Sequence, residues 1–168
     1  MPIDQHKIQA EVHRILDGRK PVFVMRHGSF LHGTETPQSD IDIKVVFLPT
    51  SDDILLGNVD FSLSNNPKSL PMAPGDLDIH CYSLARYLTL LARFDIVALE
   101  MLFASNYQDA IIHKHSIFDE IYAARMDLIA TGKHPLLSNV RANLGKFMPD
   151  HVVKKSRTEK VTWAKAKT

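Results

Sequence analysis

The stretch that decides the reading runs Pro21-Val22-Phe23-Val24-Met25-Arg26-His27-Gly28-Ser29, then residues 30–39, then Asp40-Ile41-Asp42-Ile43-Lys44-Val45-Val46-Phe47-Leu48. The first apolar run predicts a short buried strand that breaks into a turn or short helix at Gly28-Ser29. Gly33, Thr34, Thr36, Pro37 and Ser39 then give residues 33–39 the composition of a loop. The second run alternates at period two before turning wholly apolar. That predicts a strand with Asp40, Asp42 and Lys44 on one face and Ile41, Ile43 and Val45 on the other. Carboxylates sharing a face repel, and a hard divalent cation between them relieves the repulsion. Glycine lets a backbone approach a phosphate closely, and free N–H groups with the Ser29 hydroxyl can bind it.

Outward from this stretch the chain alternates in character. Residues 4–17 read as an amphipathic helix with Asp4 as N-cap and Ile8, Val12 and Ile15 on one face, stopped by Asp17-Gly18. Residues 49–75, rich in Pro, Ser, Asn and Asp, read as a long irregular excursion. Leu77-Asp78-Ile79-His80-Cys81-Tyr82 is a second alternating strand, with Asp76, Asp78, His80 and Tyr82 sharing a face. Asp78 could thus complete a three-carboxylate site able to hold two metal ions. Ser83 caps a helix over 84–93, Val97 to Phe103 continues helically, and 116–130 and 136–147 give two more helices. A small sheet followed by helices favours an α+β fold, a mixed sheet flanked by helices, over a doubly wound one. The expected division is a core over 1–110, a helical C-terminal segment over 111–150 packed on it, and a basic tail over 151–168.

The 168 residues, 45% hydrophobic and 23% charged, suit one ordinary globular domain. One cysteine, Cys81, excludes an intrachain disulfide framework, and its alternation with Ile79 makes it a small core residue. Neither a signal peptide nor a membrane-spanning apolar run is visible, so a cytoplasmic protein is expected, with no membrane partner. Residues 1–140 hold 12 Lys+Arg against 17 Asp+Glu, and residues 141–168 hold 8 against 2. A solvated tail is the plainer reading of that basic end. Its lysines around Trp163 also suit single-stranded RNA. The nine histidines show no zinc spacing, and His113-x-His115 reads as a loop pair. His80 is expected to hydrogen-bond in neutral form, and Glu100 to line or support a cleft. Arg26 and Lys44 suit either phosphate contact or the surface.

Gly-Ser, ten residues, then Asp-x-Asp resembles the motif of the nucleotidyltransferase superfamily of DNA polymerase beta type. The likeness narrows to the predicted nucleotidyltransferases found beside RNA ligases and in bacteriophages. It rests on Asp78 followed by Tyr82-Ser83-Leu84-Ala85-Arg86-Tyr87-Leu88, and on Ala98-Leu99-Glu100-Met101-Leu102-Phe103, and covers roughly residues 20–148. Phe94-Asp95-Ile96 departs from the Asn-rich turn that such proteins carry. Their greater length reads this chain as a reduced or shortened form. The resemblance implies that Asp40 and Asp42 bind metal and that Asp78, with Asp76 as rival, is the third carboxylate, serving as base or ligand. It implies that Gly28 and Ser29, with Ser39 close by, hold the triphosphate. The expected activity is Mg²⁺- or Mn²⁺-dependent transfer of a nucleoside monophosphate, AMP from ATP, to a hydroxyl or phosphate acceptor on RNA or a partner protein. The alternatives are an inactive nucleotide- or RNA-binding module on the same scaffold and a structural interaction protein.

Overall fold

A computed structural model describes residues 4–67 and 70–130. The helix expected over 136–147 and the basic tail lie outside the described residues. Helix α1 (Gln5–Leu16) starts where Asp4 accepts hydrogen bonds from the His6 and Lys7 amides, and ends at Asp17 and Gly18, both at positive φ. Its buried side chains are Ile8, Val12 and Leu16. Strand β1 (Lys20–Arg26) runs into the one-turn helix α2 (Gly28–Leu31), and strand β2 (Ile41–Leu48) follows the loop.

The excursion over 49–75 is more ordered than its composition suggests. Thr50 and Asp53 form a reciprocal capping box that starts helix α3 (Ser51–Leu55), and residues Ser62–Ser64 make strand β3. Strand β4 (Leu77–Ser83) precedes helix α4 (Leu84–Ala92), whose N-cap is Ser83 as the sequence predicts. Asp95 caps α5 (Ile96–Phe103). Strand β5 (Ile111–Lys114) then returns to the sheet, past the boundary expected at 110. The helix expected over 116–130 is broken at Ala124 into α6 (Ser116–Ala123) and α7 (Arg125–Ala130). His113 and His115 are not a loop pair: His113 sits in β5, and His115 caps α6 by accepting from the Ile117 amide.

The five strands form one mixed sheet in the order β3-β4-β2-β1-β5. Among the described residues only the β2–β4 pair is parallel. Strict alternation in β4 sends Leu77, Ile79 and Cys81 to one face, where with Ile43, Val45 and Phe47 they meet the apolar stripe of α1. Cys81 is fully buried there, and burial pushes its thiol up to about 12. On the other face Phe23, Met25 and Val46 pack with Tyr87 and Leu91 of α4, Met101 and Leu102 of α5, and Phe118 of α6. Phe23 and Phe118 stack with centroids 4.0 Å apart. With apolar layers on both sides of the sheet, position along a strand fixes where a polar side chain emerges. Among the described residues no helix is long and apolar enough to cross a membrane.

Arg19, just after α1, reaches Asp53 with two hydrogen bonds, Nε to Oδ2 at 2.8 Å and Nη2 to Oδ1 at 2.9 Å. That bridge and the Thr50 hydrogen bonds hold the Asp53 carboxyl down at about 2. The resulting stability is complete above the ordinary carboxyl pKa of 3.8 and is lost as pH falls through about 2. Asp53→Asn should therefore lower the melting temperature at pH 7, and the gap to the parent should close as pH falls from about 4 to 2. A gap that stays constant over that range would rule out this linkage.

Candidate active site

The topology brings three chain ends together. Because β1 is antiparallel to β2 and β4 is parallel to it, the end of β1 and the starts of β2 and β4 lie at one edge of the sheet. At that edge Asp42 pairs in register with Asp78, and one step further in Lys44 pairs with His80. All four project to the same face, since β4 alternates strictly and β2 carries the same parity in register. Asp40 is expected on the strand with Asp42, but β2 begins at Ile41, so Asp40 stands at the strand's threshold. Asp76 is at the matching place before β4, where its backbone carbonyl accepts from the Ile41 amide.

Asp76 and Asp78 differ in what their carboxylates do. Asp76 Oδ2 accepts the Ala73 amide at 3.0 Å, which ties it into its own exposed turn. Asp78 Oδ1 is buried and has no hydrogen-bond partner, with His80 Nε2 3.4 Å away. A buried carboxylate oxygen without a donor is costly, and few such atoms occur in a folded protein. Ser39 is occupied locally: its hydroxyl accepts the Thr36 amide at 3.0 Å and closes the loop before Asp40.

Gly28 opens α2 with φ +55, and a Cβ placed there would fall 1.9 Å from Asp42 Oδ2. Only glycine lets the turn sit this close to the carboxylate. The contact is reinforced by the His27 amide, which donates to the Asp42 carbonyl at 2.9 Å. The Gly-Ser turn and the Asp-x-Asp strand, ten residues apart in sequence, are thus one local unit. Ser29 is half-buried in the same one-turn helix.

Lys44 and His27 are the groups whose setting the sequence did not reveal. Lys44 is only 8% exposed, and its Nζ lies 3.6 Å from Asp42 Oδ1. Burial, with the Lys44 charge next, pushes His27 down to about 4 and lowers His80, against the opposing pull of the nearby aspartates. His27 is therefore neutral at pH 7. Glu100 on α5 approaches it, Oε2 to His27 Nε2 at 3.1 Å without hydrogen-bonding geometry, and Oε1 comes within 3.6 Å of His32 Nε2. Glu100 thus links α5 to the Gly28 turn, as its expected cleft-side position suggests. Arg26 is engaged elsewhere: its guanidinium stacks 3.5 Å over Phe30 and bonds Glu35 at 2.6 Å.

Among the described residues no three His, Cys, Asp or Glu side chains are already gathered around a point that could hold a metal. The pair in place is Asp42 with Asp78. A strand leading into a glycine-opened helix, a strand entered through Asp-x-Asp and a parallel strand bearing a further aspartate in register with Asp42 belong to a DNA polymerase beta-like nucleotidyltransferase fold. Residues 4–163 match the RNA repair pathway DNA polymerase beta family (RlaP), and the chain belongs to that family. It is also similar to an uncharacterised 38.9 kDa protein from the nrdC–mobD intergenic region of Enterobacteria phage T4, at 41% identity over 85 residues. That stretch is 49% of this chain and 25% of the phage protein, so the match spans about a quarter of that relative's length.

The Gly28–Asp42 contact gives a direct test. Gly18, Gly28 and Gly75 all have positive φ, but nothing lies within 4 Å of an added Cβ at Gly18 or Gly75. Each Gly→Ala change should cost about 1 kcal/mol for the left-handed backbone. Gly28→Ala should cost a further ~1–3 kcal/mol for overpacking against Asp42. Urea midpoints of the three variants measure the difference, and equal losses would refute the contact.

Proposed function

We propose that this chain transfers a nucleoside monophosphate, AMP from ATP in the first instance, to a hydroxyl or phosphate acceptor, releasing pyrophosphate. The observation that carries the reading is the in-register Asp42–Asp78 pair against the Gly28 turn. Membership of a polymerase beta-like family supports nucleotidyltransferase chemistry in general. Gly28 and Ser29 would take the β- and γ-phosphates on their amides and hydroxyl.

The site's chemistry fits a hard divalent cation, Mg²⁺ or Mn²⁺. The donors are carboxylates, and one buried oxygen, Asp78 Oδ1, has no partner. Asp42 and Asp78 would hold it, with Asp40 completing the set. When bound, such a cation neutralises charge on the triphosphate as the bond to the leaving group breaks. The residues themselves orient the reactants. The acceptor oxygen attacks the α-phosphorus, the bond to the β-phosphate oxygen breaks, and pyrophosphate leaves. Asp78, 3.4 Å from His80, would receive the acceptor's proton.

We take the acceptor to be RNA, on the strength of the family's RNA repair description and the basic 141–168 segment with Trp163. A partner protein is the competing acceptor, and a cytoplasmic location goes with either.

The test is incubation of the full chain with each labelled nucleoside triphosphate and Mg²⁺ or Mn²⁺, with and without total RNA or cell lysate, scoring pyrophosphate. RNA-dependent release that falls at least ~10³-fold in Asp42→Asn and in Asp78→Asn, with melting temperature preserved, is expected. Nucleotide binding without release under any condition would favour the inactive binding module instead.

A further inference from the structure

Lys44 stands out as a group that the reaction just described does not use. A lysine is rarely this buried without a tight partner. Here the cation lies in the floor of the site on the same face as Asp42, with His80 opposite it in register and Met25 on its other side. Its 3.6 Å separation from Asp42 Oδ1 exceeds a hydrogen bond, so the two make a loose ion pair. Its ammonium thus lies beside the same carboxylate that the Gly28 turn approaches. An ammonium is a compact point charge on a flexible stem, suited to changing partners.

Two facts about the surroundings sharpen its role. Asp42 and Asp78 are adjacent like charges, and among the described residues Lys44 is the cation paired with either of them. Arg26, the other cation at this edge of β1, is committed to Phe30 and Glu35. Lys44 alone in this cluster can both offset a carboxylate and reach for a phosphate.

We propose that Lys44 is an exchangeable counter-ion, which pairs with Asp42 in the empty site and moves to the triphosphate when a divalent cation takes Asp42. This inference rests on the nucleotide site proposed above and adds a phosphate-binding residue to it. The exchange has a signature that a purely structural lysine lacks. Removing the ammonium frees Asp42 for a metal ion, so metal binds more tightly. The same change removes a cation from the phosphate site, so nucleotide binds less tightly. Damage to the fold would weaken both.

The experiment uses the full chain and binding alone. Mn²⁺ affinity of the nucleotide-free protein is read by electron paramagnetic resonance, and affinity for ATP at saturating Mg²⁺ by calorimetry. For Lys44→Met we expect Mn²⁺ affinity to rise about tenfold and ATP affinity to fall about tenfold. Lys44→Gln should repeat both shifts if Lys44→Met folds poorly, and Lys44→Arg should restore ATP affinity in part. Shifts of the same sign, or no shift in either ligand, would overturn the proposal. Asp42→Asn separates the two readings: it should abolish Mn²⁺ binding. Mn²⁺ affinity unchanged in Asp42→Asn would defeat the metal assignment itself, and the exchange with it.

Discussion

Two carboxylates side by side on adjacent parallel strands set the terms for everything around them. Asp42 and Asp78 are directly opposed in the β2–β4 ladder, where like charges destabilise a sheet. The surrounding structure both imposes this conflict and limits it. Apolar layers on the two faces fix the register, because a slip of one residue would turn Ile43 and Ile79 out of the core. Lys44 supplies one nearby positive charge, while one oxygen of Asp78 is left buried without a donor. Such an arrangement, kept where two strands pair in the middle of the sheet, is a local rule broken, and functional sites are where folds break such rules.

The other elements follow from that edge. Since β1 is antiparallel to β2, its C-terminal end must arrive beside Asp42, and the chain has to turn there at once. Gly28 makes the turn possible by having no side chain to collide with Asp42. The one-turn helix it opens starts at that edge, and Glu100 of α5 approaches the two histidines that flank it. The Gly28 turn and Asp42 are therefore packed as one unit: a side chain at 28 would displace the carboxylate.

Much of this was legible in the sequence where a local rule governs. The Asp4 and Ser83 caps, the strand alternation of 77–82 and the one-turn helix at Gly28 depend on nearest neighbours, and they read correctly. The start of β2 did not, because Asp40 continues the alternation although the ladder begins only at Ile41. Strand β3 and strand β5 were hidden for a related reason. Ser62–Ser64 and Ile111–Lys114 are too short to show an alternating pattern and are ordered by pairing with β4 and β1. The burial of Lys44 and the Glu100–His27 approach join residues far apart in sequence, and no spacing rule connects them. Nor could parity separate Asp76 from Asp78, which share it; Asp76 precedes β4 and its carboxylate accepts from the Ala73 amide in its own turn.

The account stands or falls on where a divalent cation binds. The most direct measurement is paramagnetic broadening of backbone amide resonances as Mn²⁺ is titrated into the nucleotide-free full chain. The account predicts that the first signals lost are those of Gly28, Asp42 and Asp78 and their strand neighbours, with α3 and β5 unaffected at the same Mn²⁺ concentration. Broadening centred on another part of the chain, or none that depends on Asp42, would contradict it.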